Sequence, residues 1–226
     1  MPAAVAVAQQ DEVAGPRILN LEPTIEIVNS TGSEVSISDF KLAVDSEKIS
    51  GATYTIRNNS EKALIAFSTG LDFYWDISPD KPLHARSTED GWFLNGLVLK
   101  PGEEEQAHFM SGLTPSKPMH LLRVVVSVDY AQFSDGSTVG RNATVVGAKF
   151  NESRRIKLDV QQHYASLLKS GAAVASIAEQ IQSDLRSGRH SQGERTALIQ
   201  MRVALDNLGA KGLAAKLLEE PAVKIQ

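Results

Sequence analysis

The spacing of apolar residues changes once along this 226-residue chain, near residue 150. Before that point apolar and polar residues alternate over short runs, which is the period of a β-strand with one buried face. After it, apolar residues recur at steps of three and four, which is the period of an amphipathic helix. The chain is therefore expected to fold as a mainly β unit followed by a helical segment.

The strand signal is clearest in residues 122–130, where even-numbered positions are predicted to be buried and odd-numbered positions to face outward. The predicted buried set is Leu122, Val124, Val126, Val128 and Tyr130, and the predicted outer set is Arg123, Ser127 and Asp129. Residues 63–67 and 71–75 are predicted as two further strands, interrupted by Ser68-Thr69-Gly70. Alternation in residues 24–27 and 35–38 predicts two more.

Clusters of turn-forming residues separate these runs, at Asn58-Asn59-Ser60, Pro101-Gly102 and Asp135-Gly136. Seven or eight short strands with such turns between them predict an immunoglobulin-like antiparallel β-sandwich over residues 18–150. No helical period of adequate length precedes residue 150, which argues against a doubly wound α/β fold.

Residues 151–226 are predicted to form a tail of two or three short amphipathic helices. Gly171 and Gly188 fall at breaks in the pattern, and Ser191 with Glu194 has capping-box spacing. Because short helices are marginal alone, the apolar faces must pack on the sandwich, on a sister helix or on another subunit. A homo-oligomer formed through the tail is therefore one of the expected arrangements.

The composition excludes several classes of function. The chain contains no cysteine, which removes disulfides, thiolate zinc sites, iron–sulfur clusters and cysteine nucleophiles. No stretch reaches the roughly 18 consecutive apolar residues of a transmembrane helix. Basic residues outnumber acidic ones only after residue 153, and they are scattered, so no nucleic-acid partner is predicted.

The first residues carry a possible export signal. Ala6-Val7-Ala8 has the small-x-small pattern of a signal-peptide cleavage site, although the charged and long apolar parts of such a signal are absent. We therefore expect residues 1–17 to be a flexible N-terminus that includes a signal-peptide remnant. This pattern predicts a periplasmic or extracellular protein.

Residues 49–110 resemble a bacterial immunoglobulin-like domain of the FxLYD kind. The resemblance rests on Ser50-Gly51 at the start of a strand, on the turn at residues 58–63, on residues 71–76 and on Leu99-Lys100-Pro101-Gly102-Glu103. The register of residues 71–76 and the insert at residues 78–90 depart from that family. The resemblance implies an exported binding or spacer module without catalytic residues to transfer.

Motifs for catalysis, metals or cofactors are not found. No two of the five histidines have the spacing of a metal site on one element, and no nucleophile elbow or phosphate-binding glycine loop occurs. Asp72 and Asp76 would share one face of a strand with Tyr74, which leaves a glycosidase-like carboxylate pair as a weak alternative. No catalytic, cofactor-binding or metal-binding residue is therefore predicted.

Aromatic residues provide the remaining candidate surface. Tyr74 and Trp92 are predicted to be exposed together and to form a platform for a sugar ring or a partner side chain; the alternative is that such residues fill the core. The leading hypothesis is a non-enzymatic exported immunoglobulin-like module that binds a protein or a glycan. The alternatives are a carbohydrate-active or other hydrolytic enzyme with a site on a sandwich face, and a chaperone-like assembly protein that pairs through a strand edge such as residues 24–28.

Overall fold

The computed structural model describes residues 15–29, 34–96, 98–221, 223 and 225. The chain is mainly β, with two sheets followed by three helices. The strands are β1 (Thr24–Val28), β2 (Val35–Val44), β3 (Ile49–Asn58), β4 (Leu64–Trp75), β5 (Ser78–Asp90), β6 (Glu104–Leu113), β7 (Leu121–Phe133) and β8 (Thr138–Val139). The helices are α1 (Ala143–Lys169), α2 (Val174–Ser187) and α3 (Gln192–Leu218), and a 3₁₀ turn spans Phe93–Asn95.

The strands form two sheets that share one hydrophobic core. The first sheet has the order β1-β7-β4-β5, with β8 beside β7, and the second has the order β2-β3-β6. Neighbouring strands are antiparallel except for β1 and β7, which are parallel. Tyr54 and Ile56 from the second sheet and Phe73, Val124 and Val126 from the first belong to the same core cluster.

The strand predicted for residues 122–130 lies at the centre of the first sheet, but two register shifts change its faces. Val124 and Val126 are buried in the core as predicted, whereas Leu122 is 42% exposed. Val128 pairs with Thr69 and Tyr130 pairs with Ser68, so Asp129 is an extra residue in β7. Such a bulge re-aims the side chains that follow it. Tyr130 consequently packs against α1 instead of entering the core.

One predicted interruption is wrong. Ser68, Thr69 and Gly70 do not separate two strands, because β4 runs without a break from Leu64 to Trp75. This strand lies between β5 and β7, and both neighbours supply backbone hydrogen bonds along its length. Hydrogen bonding on both edges outweighs the local turn preference of serine and glycine. The prolines at Pro79 and Pro82 are accommodated because β5 is an edge strand.

The predicted boundary between residues 18–150 and the tail at 151–226 is too late. α1 begins at Ala143, because Val146 and Phe150 are four residues apart and pack on one face against Ala66 and Tyr130.

The helical tail packs on its own first sheet and on itself. α1 and α3 contact each other along their length, and residues of all three helices share a core cluster with Ile65 and Trp92 from the β unit. The predicted capping box is confirmed: Ser191 Oγ accepts a hydrogen bond from the Glu194 backbone N–H, and Glu194 accepts one from the Ser191 backbone N–H. The break at Gly188 is confirmed by its left-handed φ of 64°.

The predicted export pattern at Ala6-Val7-Ala8 lies outside the described residues. The first described residue is Gly15, and Ile18 is buried beside Met119 in a short parallel bridge. None of the described helices combines the length and apolar character of a membrane-spanning segment.

Candidate functional site

Polar and charged residues, among them the buried Asp72 and Asp129, gather on the face of the first sheet that lies toward the helices. We call this the helix-side face. β5 contributes His84, Arg86 and Asp90 to it, β4 contributes Asp72, and β7 contributes Asp129. α1 covers one part of this face and leaves another part open, because the contact of α1 with β7 is confined to the end of the strand near Tyr130.

His84 stands between two buried carboxylates on the open part. Its Nδ1 lies 2.6 Å from Asp72 Oδ1, and its Nε2 lies 3.2 Å from Arg86 Nη2 and 3.6 Å from Asp129 Oδ2. A carboxylate accepts and a guanidinium donates, so these contacts fit an uncharged imidazole that carries its proton on Nδ1. Arg141 Nη1 lies 3.3 Å from Asp72 Oδ2. Two carboxylates and two guanidinium groups therefore balance one another in this network.

The network does not form a serine hydrolase site. Ser127 is the neighbouring hydroxyl, and its Oγ donates to Asp129 Oδ1 at 3.2 Å instead of to the imidazole. A nucleophilic serine must donate a hydrogen bond to its general base. Here the candidate base is the His84 imidazole, and it accepts a hydrogen bond from Arg86 instead. No group of three or more histidine, aspartate or glutamate side chains among the described residues is placed to hold a metal ion.

The carboxylate of Asp129 is fully buried and lies directly over Gly70. A Cβ atom at residue 70 would come within 2.7 Å of both carboxylate oxygens. Arg86 Nη2, at 3.0 Å, and Ser127 hold that carboxylate in place, so it cannot move without loss of these bonds.

We expect Gly70→Ala to lower the free energy of unfolding by about 1–3 kcal/mol, the range for overpacking a buried site. Urea denaturation followed by circular dichroism measures the change. Gly112→Ala is the matched control, because this glycine is also in a strand and a Cβ there meets no atom within 4 Å. Equal stability of the two variants would contradict the packing of Asp129 on Gly70.

A second charged group lies where α1 covers the helix-side face. Arg154 is completely buried, and its Nε and Nη2 donate to the Asp90 carboxylate, the latter at 2.7 Å. Its remaining Nη1 donates to Gln132 Oε1. The guanidinium also lies 5.4 Å from the Trp92 ring centroid and 5.3 Å from that of Phe150. All parts of Arg154 thus have partners.

Lys157 lies one turn further along α1 and shares the same carboxylate. Its Nζ is 3.6 Å from Asp90 Oδ2, which exceeds an ordinary hydrogen-bond distance, although only 5% of the residue is exposed. Burial lowers the pKa of Lys157, and the nearby Asp90 charge opposes that shift. Arg154 and Lys157 therefore place two buried positive charges against one carboxylate.

Lys157 lines a cleft of about 340 Å³ between β5, α1 and α3. Its charged walls carry the cations Arg86, Lys149 and Lys157 and one carboxylate, Asp90, and its hydroxyls come from Thr88, Ser153 and Thr196. Val146 and Phe150 form an apolar part of the wall, and Gln200 contributes a buried Oε1 without a hydrogen-bond partner among the described residues. We call this space the lysine cleft. It can accept a negatively charged group.

The predicted aromatic platform is not present. Trp92 is only 4% exposed, and its Nε1 donates to the Val223 carbonyl oxygen at 2.6 Å, so it anchors the tail. Tyr74 is partly exposed at the other end of the first sheet, where the Arg123 guanidinium lies 4.2 Å from its ring centroid. The two side chains cannot form one surface. The alternative stated for them, filling of a core, applies to Trp92.

The predicted carboxylate pair is not formed either. Asp72 is buried against His84, whereas Asp76 follows the end of β4 and is exposed. Thr24–Val28 pairs with β7 along one edge and is the outer strand of the first sheet. The residues of the lysine cleft were not among the predicted site residues, because a lysine and an arginine on a helix usually belong to a solvated face.

Two other clefts occur among the described residues. The one between the three helices, of about 510 Å³, contains Tyr164, Asp184 and Glu194, and Asp159, His163 and His190 also line it. Tyr164 Oη donates to Asp184 at 2.6 Å and Glu194 completes the capping box, so these two carboxylates have structural partners. An apolar groove of about 370 Å³ at the end of the first sheet is lined by residues such as Trp75 and Met119, and by the exposed Lys81.

No known protein family, curated protein or solved structure matches this chain.

Proposed function

We propose that this protein is a non-enzymatic binding module of immunoglobulin-like type, and that it holds an oxyanion-bearing ligand in the lysine cleft. One observation carries the proposal: the ammonium group of Lys157 is almost completely buried, lines the cleft and shares the single Asp90 carboxylate with Arg154. Buried charges in proteins are paired, and an excess of one sign is costly. An oxyanion in the cleft would supply a second counter-charge for the two cations.

The strand pairing supports the immunoglobulin-like part of the proposal. In that fold strands B and E pair in one sheet and strands C and F pair in the other. Taking β3, β4, β6 and β7 as B, C, E and F gives the same two central pairs. β5 then takes the place of the extra strand beside C in variable-type domains. The parallel pairing of β1 with β7 adds a strand to the C–F sheet.

The position of the tail supports a binding role over an oligomerisation role. The three helices bury their apolar faces against one another and against Trp92 and Ile65 of the same chain. α1 and α3 thereby provide two walls of the cleft and β5 provides the third. The proposal keeps the FxLYD-like resemblance and the periplasmic or extracellular location, which rest on the sequence patterns described above.

Isothermal titration calorimetry with inorganic phosphate, in a zwitterionic buffer of low ionic strength, tests the proposal. The full chain is expected to bind phosphate, and Lys157→Met is expected to weaken binding about tenfold or more, since a hydrogen bond to a charged group contributes about 1.5–3 kcal/mol. Lys211→Met is the control, because Lys211 is an exposed lysine of α3 outside the cleft. Absence of binding to the wild-type chain, or equal binding by Lys157→Met, would overturn the proposal.

A further inference from the structure

We propose that the ligand of the lysine cleft is a phosphate monoester with a compact apolar substituent. This inference rests on the proposed function and specifies the chemistry of its ligand. It follows from three properties of the cleft: the number of charges that lack a counter-ion, the directions from which donors reach the space, and the apolar part of the wall.

The charges favour a dianion. Arg86 is matched by Asp129, at 3.0 Å, and Arg154 is matched by Asp90, at 2.7 Å. Of the other cations that line the cleft, Lys149 on the exposed rim has no ion pair among the described residues, and Lys157 shares Asp90, which also lines the cleft, with Arg154. Two positive charges therefore remain in excess of the carboxylates. Two ammonium groups are neutralised by a phosphate monoester, whose second pKa of about 6 leaves it doubly charged at pH 8. A carboxylate or a sulfate ester would neutralise only one.

The donors favour a tetrahedral group. Thr88 on β5 and Ser153 on α1 each place a hydroxyl on the cleft wall, whereas the Thr196 hydroxyl on α3 already donates to the Gln192 carbonyl oxygen at 2.9 Å. The ammonium groups of Lys149 and Lys157 add donors from α1. The terminal oxygens of a phosphate monoester point in three directions and can reach donors on different elements, whereas the two oxygens of a carboxylate lie in one plane.

The remaining wall leaves room for a substituent. Val146 and Phe150 line the same space as the lysines, and the cleft volume of about 340 Å³ falls within the range of small-molecule sites, about 300–1,000 Å³. Both side chains pack against Tyr130 and Ala66 on their other sides, and a phosphoryl group alone would not contact the part of them that lines the cleft. A small aryl or alkyl group on the ester oxygen would cover it.

Four probes separate these properties: inorganic phosphate, phenyl phosphate, phenyl sulfate and benzoate, each titrated into the full chain at pH 8. Phenyl phosphate is expected to bind about tenfold or more tightly than phenyl sulfate and benzoate, because each of these lacks one of the two negative charges. It is also expected to bind more tightly than inorganic phosphate, because of the apolar wall. Lys149→Met is expected to reduce the preference for phenyl phosphate over phenyl sulfate.

The outcomes distinguish the ligand class from the proposed function. If phenyl phosphate and benzoate bind with equal affinity and Lys157→Met binds neither, the proposal of a phosphate monoester is overturned. The proposal of an oxyanion site would then still stand. If inorganic phosphate binds as tightly as phenyl phosphate, the proposal that the ligand carries an apolar substituent is overturned. Binding of none of the four probes would overturn both proposals. Lys211→Met accompanies every titration as the exposed-lysine control.

Discussion

Arg154→Ala is expected to lower the free energy of unfolding by about 3–5 kcal/mol, the cost of removing one partner of a buried ion pair. The substitution removes the hydrogen bonds to Asp90 and to Gln132 Oε1, and both acceptors are nearly or fully buried. It also opens a space between the rings of Trp92 and Phe150. Lys157 can approach Asp90 in the variant, but a single ammonium cannot replace the bidentate guanidinium geometry.

Urea or guanidinium denaturation of the full chain measures this loss. Arg155→Ala is the matched control, because Arg155 is the next residue of α1 and is exposed. Arg154→Lys is expected to fall between the wild type and the alanine variant, since it keeps the charge and loses the fork of donors. A change below about 1 kcal/mol in Arg154→Ala, within the ordinary range for surface positions, would mean that this pair does not hold the tail on the sheet.

The parts of the fold that depend on local pattern could be predicted from the sequence. The alternation of Val124, Val126 and Val128 predicted a buried strand face, and the Ser191–Glu194 spacing predicted a helix start. Both depend on residues that are neighbours in the chain. The start of the helix at Ala143 was missed because its first turn contains the β-branched residues Thr144, Val145 and Val146, which are also common in strands, and the spacing of Val146 and Phe150 becomes informative only when Tyr130 is known to lie beside them.

Side-chain direction after a bulge could not be predicted. The alternation in residues 122–130 assigns Tyr130 to the core and Asp129 to the solvent. The extra residue in β7 arises from its pairing with β4, so Tyr130 packs on α1 and the Asp129 carboxylate is buried. A bulge is defined by how two strands pair, so it cannot be located from the sequence of one strand alone.

The candidate site was missed for a related reason. Asp90 is 64 residues before Arg154 in the chain, and no spacing rule connects the end of an edge strand with the middle of a later helix. Arg154 and Lys157 by themselves have the pattern of a solvated helix face. Only the packing of α1 on the first sheet shows that both cations are buried and that they share one carboxylate.

Lys157→Met is expected to raise the free energy of unfolding of the ligand-free protein by about 1 kcal/mol, because it removes the desolvation cost of a buried ammonium whose carboxylate is already paired with Arg154. Asp90 keeps its contacts with Arg154 in this variant, so no buried carboxylate loses its partner. The variant thus folds while it lacks the group proposed to bind the ligand. Lys211→Met, at an exposed position, is expected to change stability by less than about 0.5 kcal/mol.

The stabilisation has a defined dependence on pH. Burial lowers the pKa of Lys157 in the folded state, and the groups that face its ammonium are Asp90 on β5 and Arg154 on α1. Above the ordinary lysine pKa the side chain is uncharged in both states, so its charge costs nothing. As the pH falls toward the lowered folded pKa, the unfolded chain binds the proton more readily, and the cost is complete below that value. The difference between Lys157→Met and the wild type should therefore be largest near neutral pH and shrink as the medium becomes alkaline.

The stabilities of Lys157→Met and the wild type are also compared in the presence of phenyl phosphate. A ligand that binds only the folded state stabilises it by RT ln(1 + [L]/Kd), about 2.7 kcal/mol at a concentration of 100 Kd. Wild-type protein should gain this stability from phenyl phosphate and Lys157→Met should not, so saturating ligand is expected to reduce or reverse the order of stability of the two proteins. Thermal or urea unfolding with and without the ligand measures both effects in one series. A variant that is less stable than the wild type in ligand-free buffer at pH 7 would show that Asp90 already compensates Lys157, and the excess charge on which the oxyanion site depends would not exist.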